Sequence, residues 1–111
     1  MIFKKRIITH TFLIYGYRDE GTQYCLSFMG RECEDSIEFF NLVSRKILHV
    51  KELKGLFDYT SQVTKEMGYE KWFMDVLHEN RKIAERFGPT KVEEISLLGY
   101  NLVRVSYKVR D

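Results

Sequence analysis

Hydrophobic and polar positions alternate at the two ends of the chain and follow a longer period between them. Residues 2–17 read as a strand. Ile8, Phe12 and Ile14 share one face with His10, and Ile7, Leu13 and Tyr15 share the other with Thr9 and Thr11. Apolar residues on both faces imply a strand covered on both sides. RDEGT at 18–22 reads as a turn, with Gly21 able to take the positive φ that a hairpin needs. QYCLSFMG then alternates again, Tyr24, Leu26 and Phe28 against Cys25, Ser27 and Met29. The first thirty residues are therefore expected to form a β-hairpin.

The period lengthens in EDSIEFFNLVSRKILHV. Asp35 can cap a first turn, and Glu38 three residues on completes a capping box. Phe39, Phe40, Val43, Ile47 and Val50 line one broad apolar face, which predicts a helix central to the core. Leu53, Leu56, Phe57, Val63 and Met67 keep a looser helical beat as far as Gly68, with Gly55 and Asp58 expected to interrupt it. Residues 69–87 predict a third helix, stopped by Gly88 and Pro89. Its apolar arc holds Tyr69, Trp72, Phe73, Val76, Leu77, Ile83, Ala84 and Phe87. Two residues fit this arc badly. Asn80 lies inside it and must find hydrogen-bond partners. Met74 lies outside it, beside Glu70, Arg81 and His78, as a lone exposed apolar residue.

KVEEISLLGYNLVRVSYKVRD returns to period two. Val103, Val105, Tyr107 and Val109 alternate with Arg104, Ser106, Lys108 and Arg110, and LGYN at 98–101 turns between two strands. The predicted order is β-β-α-α-α-β-β over a single domain, residues 1–111. This is an α+β fold: a mainly antiparallel four-stranded sheet with helices packed on one face.

Charge changes the picture little. The 18 basic and 16 acidic residues give +2, less than the basic excess usual in a dedicated nucleic-acid binder. The start, MIFKKRIITHTFLIYGY, imitates a signal peptide, but Thr9, His10 and Thr11 interrupt its apolar run and Arg18-Asp19-Glu20 follows. No run reaches the roughly 18 apolar residues of a membrane span. The chain is therefore read as soluble and cytoplasmic. Cys25 and Cys33 lack a zinc-type spacing and read as reduced thiols.

Catalytic chemistry is not visible in the pattern. His10, His49 and His78 do not pair at ligand spacing, so no metal is expected. No glycine-rich nucleotide loop or nucleophile elbow occurs, and no cofactor is expected. A Cys25–His10 pair across the first hairpin is conceivable. So is a small hydrolase or transferase using His10, Cys25 or His78. On the last strand, Arg104, Lys108 and Arg110 project to one side, and Lys4, Lys5 and Arg6 would join them if the terminal strands pair. With Tyr15, Tyr17, Tyr24, Tyr100 and Tyr107 nearby, such a face suits single-stranded nucleic acid, or simply a solvated edge. The leading expectation is a small non-enzymatic protein-binding module. It would be a stoichiometric inhibitor or an immunity- or antitoxin-type partner of a toxin, nuclease or host enzyme. Its partner-binding residues would be Tyr69, Glu70, Met74, His78, Arg104, Lys108 and Arg110. The alternative is a nucleic-acid-binding regulator using the basic sheet face. No membrane contact is expected, and a homodimer stays open.

Overall fold

A two-residue turn at Thr9 and His10 divides what reads in the sequence as one strand. The computed structural model describes residues 1–19 and 23–109. It holds β1 (Ile2–Ile8), β2 (Thr11–Tyr17), β3 (Leu26–Cys33), β4 (Ser36–Ser44), α1 (Val50–Glu66), β5 (Lys71–Val76), α2 (Arg81–Glu85), β6 (Lys91–Leu97) and β7 (Tyr100–Lys108). A 3-10 turn, His78–Asn80, leads into α2. The strands form one seven-stranded sheet in the order β1-β2-β3-β4-β5-β7-β6. Every neighbouring pair is antiparallel except β4 and β5, which are parallel. The expectation of four strands and three helices is thus overturned.

The largest correction is β4. The segment expected as the first helix is a strand hairpinned to β3 through Glu34 and Asp35. Ile37 and Phe39 are fully buried on one face, while Glu38 faces the other beside Arg31. A central strand with apolar residues on both faces matches a helical period by accident, and its β-branched and aromatic side chains favour the pleat. The expected third helix is likewise strand β5 followed by the short α2. Met74 is the sign of this: with Trp72 it faces the core at period two, only 8% exposed. The expected second helix is uninterrupted and starts earlier, at Val50. It runs past Gly55, where the Phe3 ring packs against the helix. The last hairpin forms where the sequence places it, turning at Leu98 and Gly99 with φ of 51° and 82°. Both central residues are positive, as a type I′ turn requires. The turn expected around Gly21 lies outside the described residues.

α1 and α2 lie on one face of the sheet. α1 buries Leu56, Phe57, Thr60, Val63 and Thr64, and both threonine hydroxyls donate to helix carbonyls, Phe57 and Thr60. Beneath it an aromatic cluster fills the core. Trp72 stacks on Tyr107 at 4.3 Å and meets Phe39 and Phe57 edge-on. Tyr107 Oη donates to the Ala84 carbonyl, tying α2 to the sheet, and burial pushes its phenol well above the ordinary range. No described element covers the opposite face, which carries ion pairs between neighbouring strands, Arg31–Glu38 and Arg104–Asp75. Among the described residues no helix is long and apolar enough to cross a membrane.

α1 begins with a fixed charge. Glu52 accepts the His49 N–H at 3.0 Å and is clamped by Arg18 through both oxygens. Arg18 and then the His49 amide hold the Glu52 carboxyl below the ordinary glutamate range. A depressed carboxyl pKa contributes stability that is present at neutral pH and lost as pH falls through the folded value. The stability gap between wild type and Glu52→Gln, read from urea midpoints, is therefore expected to narrow between about pH 7 and pH 3. A gap independent of pH would show that the clamp contributes nothing.

Candidate functional site

The β4–β5 ladder holds only two residue pairs, Ile37 with Trp72 and Glu38 with Phe73. Among the described residues no ladder joins them beyond that point. The ladder with β3 also shifts here: Ser27 faces Val43 and Met29 faces Phe40, so Phe28 opposes both Asn41 and Leu42. Asn41 takes φ of 57° at this bulge, the left-handed region that asparagine tolerates. A bulge bends its strand and re-aims the backbone. The two central strands therefore part toward their C-terminal ends.

The gap is a slot of about 380 Å³. Phe39, Phe40, Asn41 and Leu42 line it from β4, Met74, Asp75, Val76 and Leu77 from β5 and its end, Leu53 and Phe57 from α1, Asn80 from the 3-10 turn, and Ile83 and Ala84 from α2. Its walls are mostly apolar, and the facing edges of two strands supply unladdered backbone groups. Asp75 is its one acidic side chain, held in a two-pronged pair by Arg104 at 2.8 and 3.1 Å. Arg104 also stacks over Phe73 at 4.5 Å, and the Asp75 bond raises its pKa. Arg104→Ala would leave the Asp75 carboxylate, 12% exposed, without its partner. A loss of about 1–3 kcal/mol is expected by urea titration. Adding Asp75→Asn should recover part of it, and strict additivity of the two changes would deny the pairing. Phe57 also lines a second cavity of about 430 Å³, where Lys51, Lys54, Arg86 and Lys108 surround Trp72 and Tyr107.

The fold as a whole is shared with solved structures. An aminoglycoside 6'-N-acetyltransferase from Enterococcus faecium superposes with a TM-score of 0.75 at 9% identity, over 95% of this chain and 78% of that one. An acetyltransferase from Bacillus subtilis in complex with CoA gives 0.68 at 12% identity, over 93% and 80%. A spermidine N-acetyltransferase chimera from Vibrio cholerae gives 0.68 at 14% identity, over 90% and 68%. This is a GNAT-like fold. At the level of sequence no family model and no curated protein matches.

The GNAT-like fold overturns the expectation of a non-enzymatic inhibitor, immunity protein or antitoxin. That reading rested on missing catalytic motifs, whereas solved structures sharing this fold are aminoglycoside and spermidine N-acetyltransferases. The residues singled out from the sequence do not gather in one place. Met74 lies in the core rather than on the surface, and lines the slot. Tyr69 donates its hydroxyl to Glu32, and Glu70 gives its carbonyl to the Val109 amide. His78 is exposed in the turn before α2. Arg104 is paired with Asp75, and Lys108 is exposed at the end of β7. Arg110 lies outside the described residues. β1 does not join β7, because four strands separate them. Cys25 and His10 sit at opposite ends of the β2–β3 ladder, and the Cys25 thiol donates to the Gly16 carbonyl, so they form no pair. Both Cys25 and Cys33 are free thiols. Among the described residues no cluster of three metal-ligating side chains occurs. Asn80 is exposed at the start of α2 and lines the slot, not a buried helix face. The signal missed in the sequence was EFFNLV, a strand carrying its own bulge.

Proposed function

We propose that the chain is an N-acyltransferase that takes an acyl group, acetyl in the simplest case, from a pantetheine thioester in the slot between β4 and β5. The parting of the parallel pair β4 and β5 is the observation that carries this reading. A pantetheine arm is narrow, extended and amide-bearing, and two exposed strand edges offer it ladder-like hydrogen bonds within apolar walls. Solved structures of this fold include complexes with coenzyme A, and among them are aminoglycoside and spermidine N-acetyltransferases, named for amines.

The reaction needs no covalent enzyme intermediate. A neutral acceptor amine attacks the thioester carbonyl carbon; the C–N bond forms, the C–S bond breaks, and the thiolate leaves. The amine gives up one proton and the thiolate gains one. Backbone N–H groups at the β4 bulge, freed from any ladder with β5, suit the oxyanion that develops on the carbonyl oxygen. The slot excludes water from the thioester and orients it, which supplies much of the rate in such a direct transfer.

The test is acyl transfer from acetyl-pantetheine and acetyl-CoA to a panel of polyamines, aminoglycosides and peptide N-termini. Thiol release and the acceptor's mass increment are read together. Ile83→Trp fills the slot from a half-exposed position. Wild type should be at least about tenfold faster than this variant. Equal rates would sink the proposal.

A further inference from the structure

One wall of the second cavity, that of about 430 Å³, is a stripe of α1. Val50, Lys54, Phe57 and Ser61 follow one another at helical spacing, with Lys51 and Asp58 beside them, so all six share one helix face. The other wall is Arg86 and Phe87, where α2 ends, and the buried Trp72 and Tyr107 close the floor. Among the described residues Phe57 is the one side chain that lines both this cavity and the slot. Its ring is held by Trp72, Tyr107 and Phe87, at 5.4, 5.4 and 4.4 Å. A side chain packed on three sides is a partition, not a passage.

The cavity is unbalanced in charge. Lys51, Lys54, Arg86 and Lys108 line it against one carboxylate, Asp58. Asp58 stands 3.9 Å from Lys54, a loose and exposed pair. No described carboxylate pairs with Lys51, Arg86 or Lys108. The trough on the open face of the sheet is built differently. Its cations Arg31, Lys71, Lys91 and Arg104 are matched by Glu38, Asp35, Glu93 and Asp75. Cations left unmatched around a concave surface raise the local concentration of anions. Ser61 adds a neutral donor: its oxygen accepts the Trp72 indole N–H at 3.2 Å, which leaves the hydroxyl hydrogen to give.

We infer that this cavity binds a nucleoside di- or triphosphate, at a site separate from the slot. Its volume is in the range of small-molecule sites. Lys51 and Lys54 stand on one wall and Arg86 on the other, so a single negative charge would leave one wall unmatched. Arg86 offers the planar fork that suits phosphoryl oxygens. Between the cations lies an apolar bed, Phe87 half-buried and Val50 51% exposed, for a flat base to cover. A base carrying two or more phosphoryl charges occurs as a free nucleotide and as the tail of a nucleotide thioester. The partition at Phe57 favours the free nucleotide.

Trp72 is the only tryptophan of the chain and lines the cavity, so its fluorescence reports occupancy. ADP, ATP, pyrophosphate and adenosine are titrated by fluorescence and by calorimetry. ADP and ATP should change the emission and bind at least about tenfold tighter than adenosine or pyrophosphate. Lys51→Ala/Arg86→Ala, both exposed, should weaken ADP at least about tenfold at an unchanged urea midpoint. Lys46→Ala/Lys82→Ala removes the same charge from exposed positions outside the cavity and should weaken ADP less than about twofold. Equal losses in the two variants would reduce the effect to net charge and overturn the site. Binding heat with an unchanged Trp72 signal would place the nucleotide elsewhere and overturn it too, as would no binding of ADP or ATP. Pyrophosphate as tight as ADP would refute the nucleotide assignment. Saturating 4'-phosphopantetheine and saturating coenzyme A should both leave ADP binding unchanged. Displacement of ADP by coenzyme A but not by phosphopantetheine would give the cavity to a donor's tail and refute its independence from the slot.

Discussion

Trp72→Ala is expected to cost about 3–5 kcal/mol, the range for truncating a large buried aromatic residue. Trp72 is 1% exposed and is the meeting point of the core. It stacks on Tyr107 from β7, meets Phe39 from β4 and Phe57 from α1 edge-on, and its indole N–H donates to Ser61 at 3.2 Å. One side chain thus joins both halves of the sheet to the helix. Domains of this size have only about 5–15 kcal/mol of net stability, so the variant should lose a large share of it and unfold at a much lower urea concentration. Urea titration followed by far-ultraviolet circular dichroism gives the midpoint, since the only tryptophan is lost. Trp72→Phe keeps a ring in the cluster and should lose clearly less. A loss below about 1 kcal/mol for the alanine variant would contradict the packing described here.

Gly30→Ala is expected to cost about 1–3 kcal/mol, although it adds one methyl group. Gly30 lies opposite Phe12 on β2 and Phe39 on β4. A Cβ there would sit 2.3 Å from Phe12 Cζ and 2.6 Å from Cε2. The ring fills the space that a side chain would take, a pairing that rescues a strand glycine. Phe12 cannot simply swing aside, because it is 3% exposed and packed edge-on against Phe39 at 5.7 Å. Shortening the ring should relieve the clash. Phe12→Leu in the Gly30→Ala background should therefore cost less than Phe12→Leu alone, with a coupling of about 0.5–3 kcal/mol by double-mutant cycle. A coupling near zero would mean that the two positions do not share this space.

The parts of the fold legible in the sequence are those with one buried face. β7 alternates Val103, Val105 and Tyr107 inward against Arg104 and Ser106 outward, and its hairpin with β6 follows from that pattern and the Leu98-Gly99 turn. The middle of the chain misleads because β4 and β5 are central strands. Phe40 and Phe73 lie on the open face and are only half-exposed, stacked under Arg31 and Arg104. Apolar residues on both faces erase the two-residue alternation, and a helical spacing can then be drawn through Phe39, Phe40 and Val43. The site was illegible for a different reason. It is built from strand edges and a bulge, so no side-chain motif announces it. Asn80 and Met74, the two residues that broke the helical pattern, both line the slot. Their misfit was real, but its cause was a change of secondary structure in mid-segment.

The brief contact between β4 and β5 divides the sheet in a way the strand count conceals. β1 to β4 form one antiparallel leaf, and β5, β7 and β6 form another. Two residue pairs, the Lys71–Asp35 ion pair at 3.0 Å and the aromatic cluster under α1 act as the spine between them. Leaves bound along so short a spine can change their opening angle while every antiparallel ladder stays intact. The width of the gap is then set by what is inserted into it, and amide exchange along its two edges should slow when an occupant closes the book.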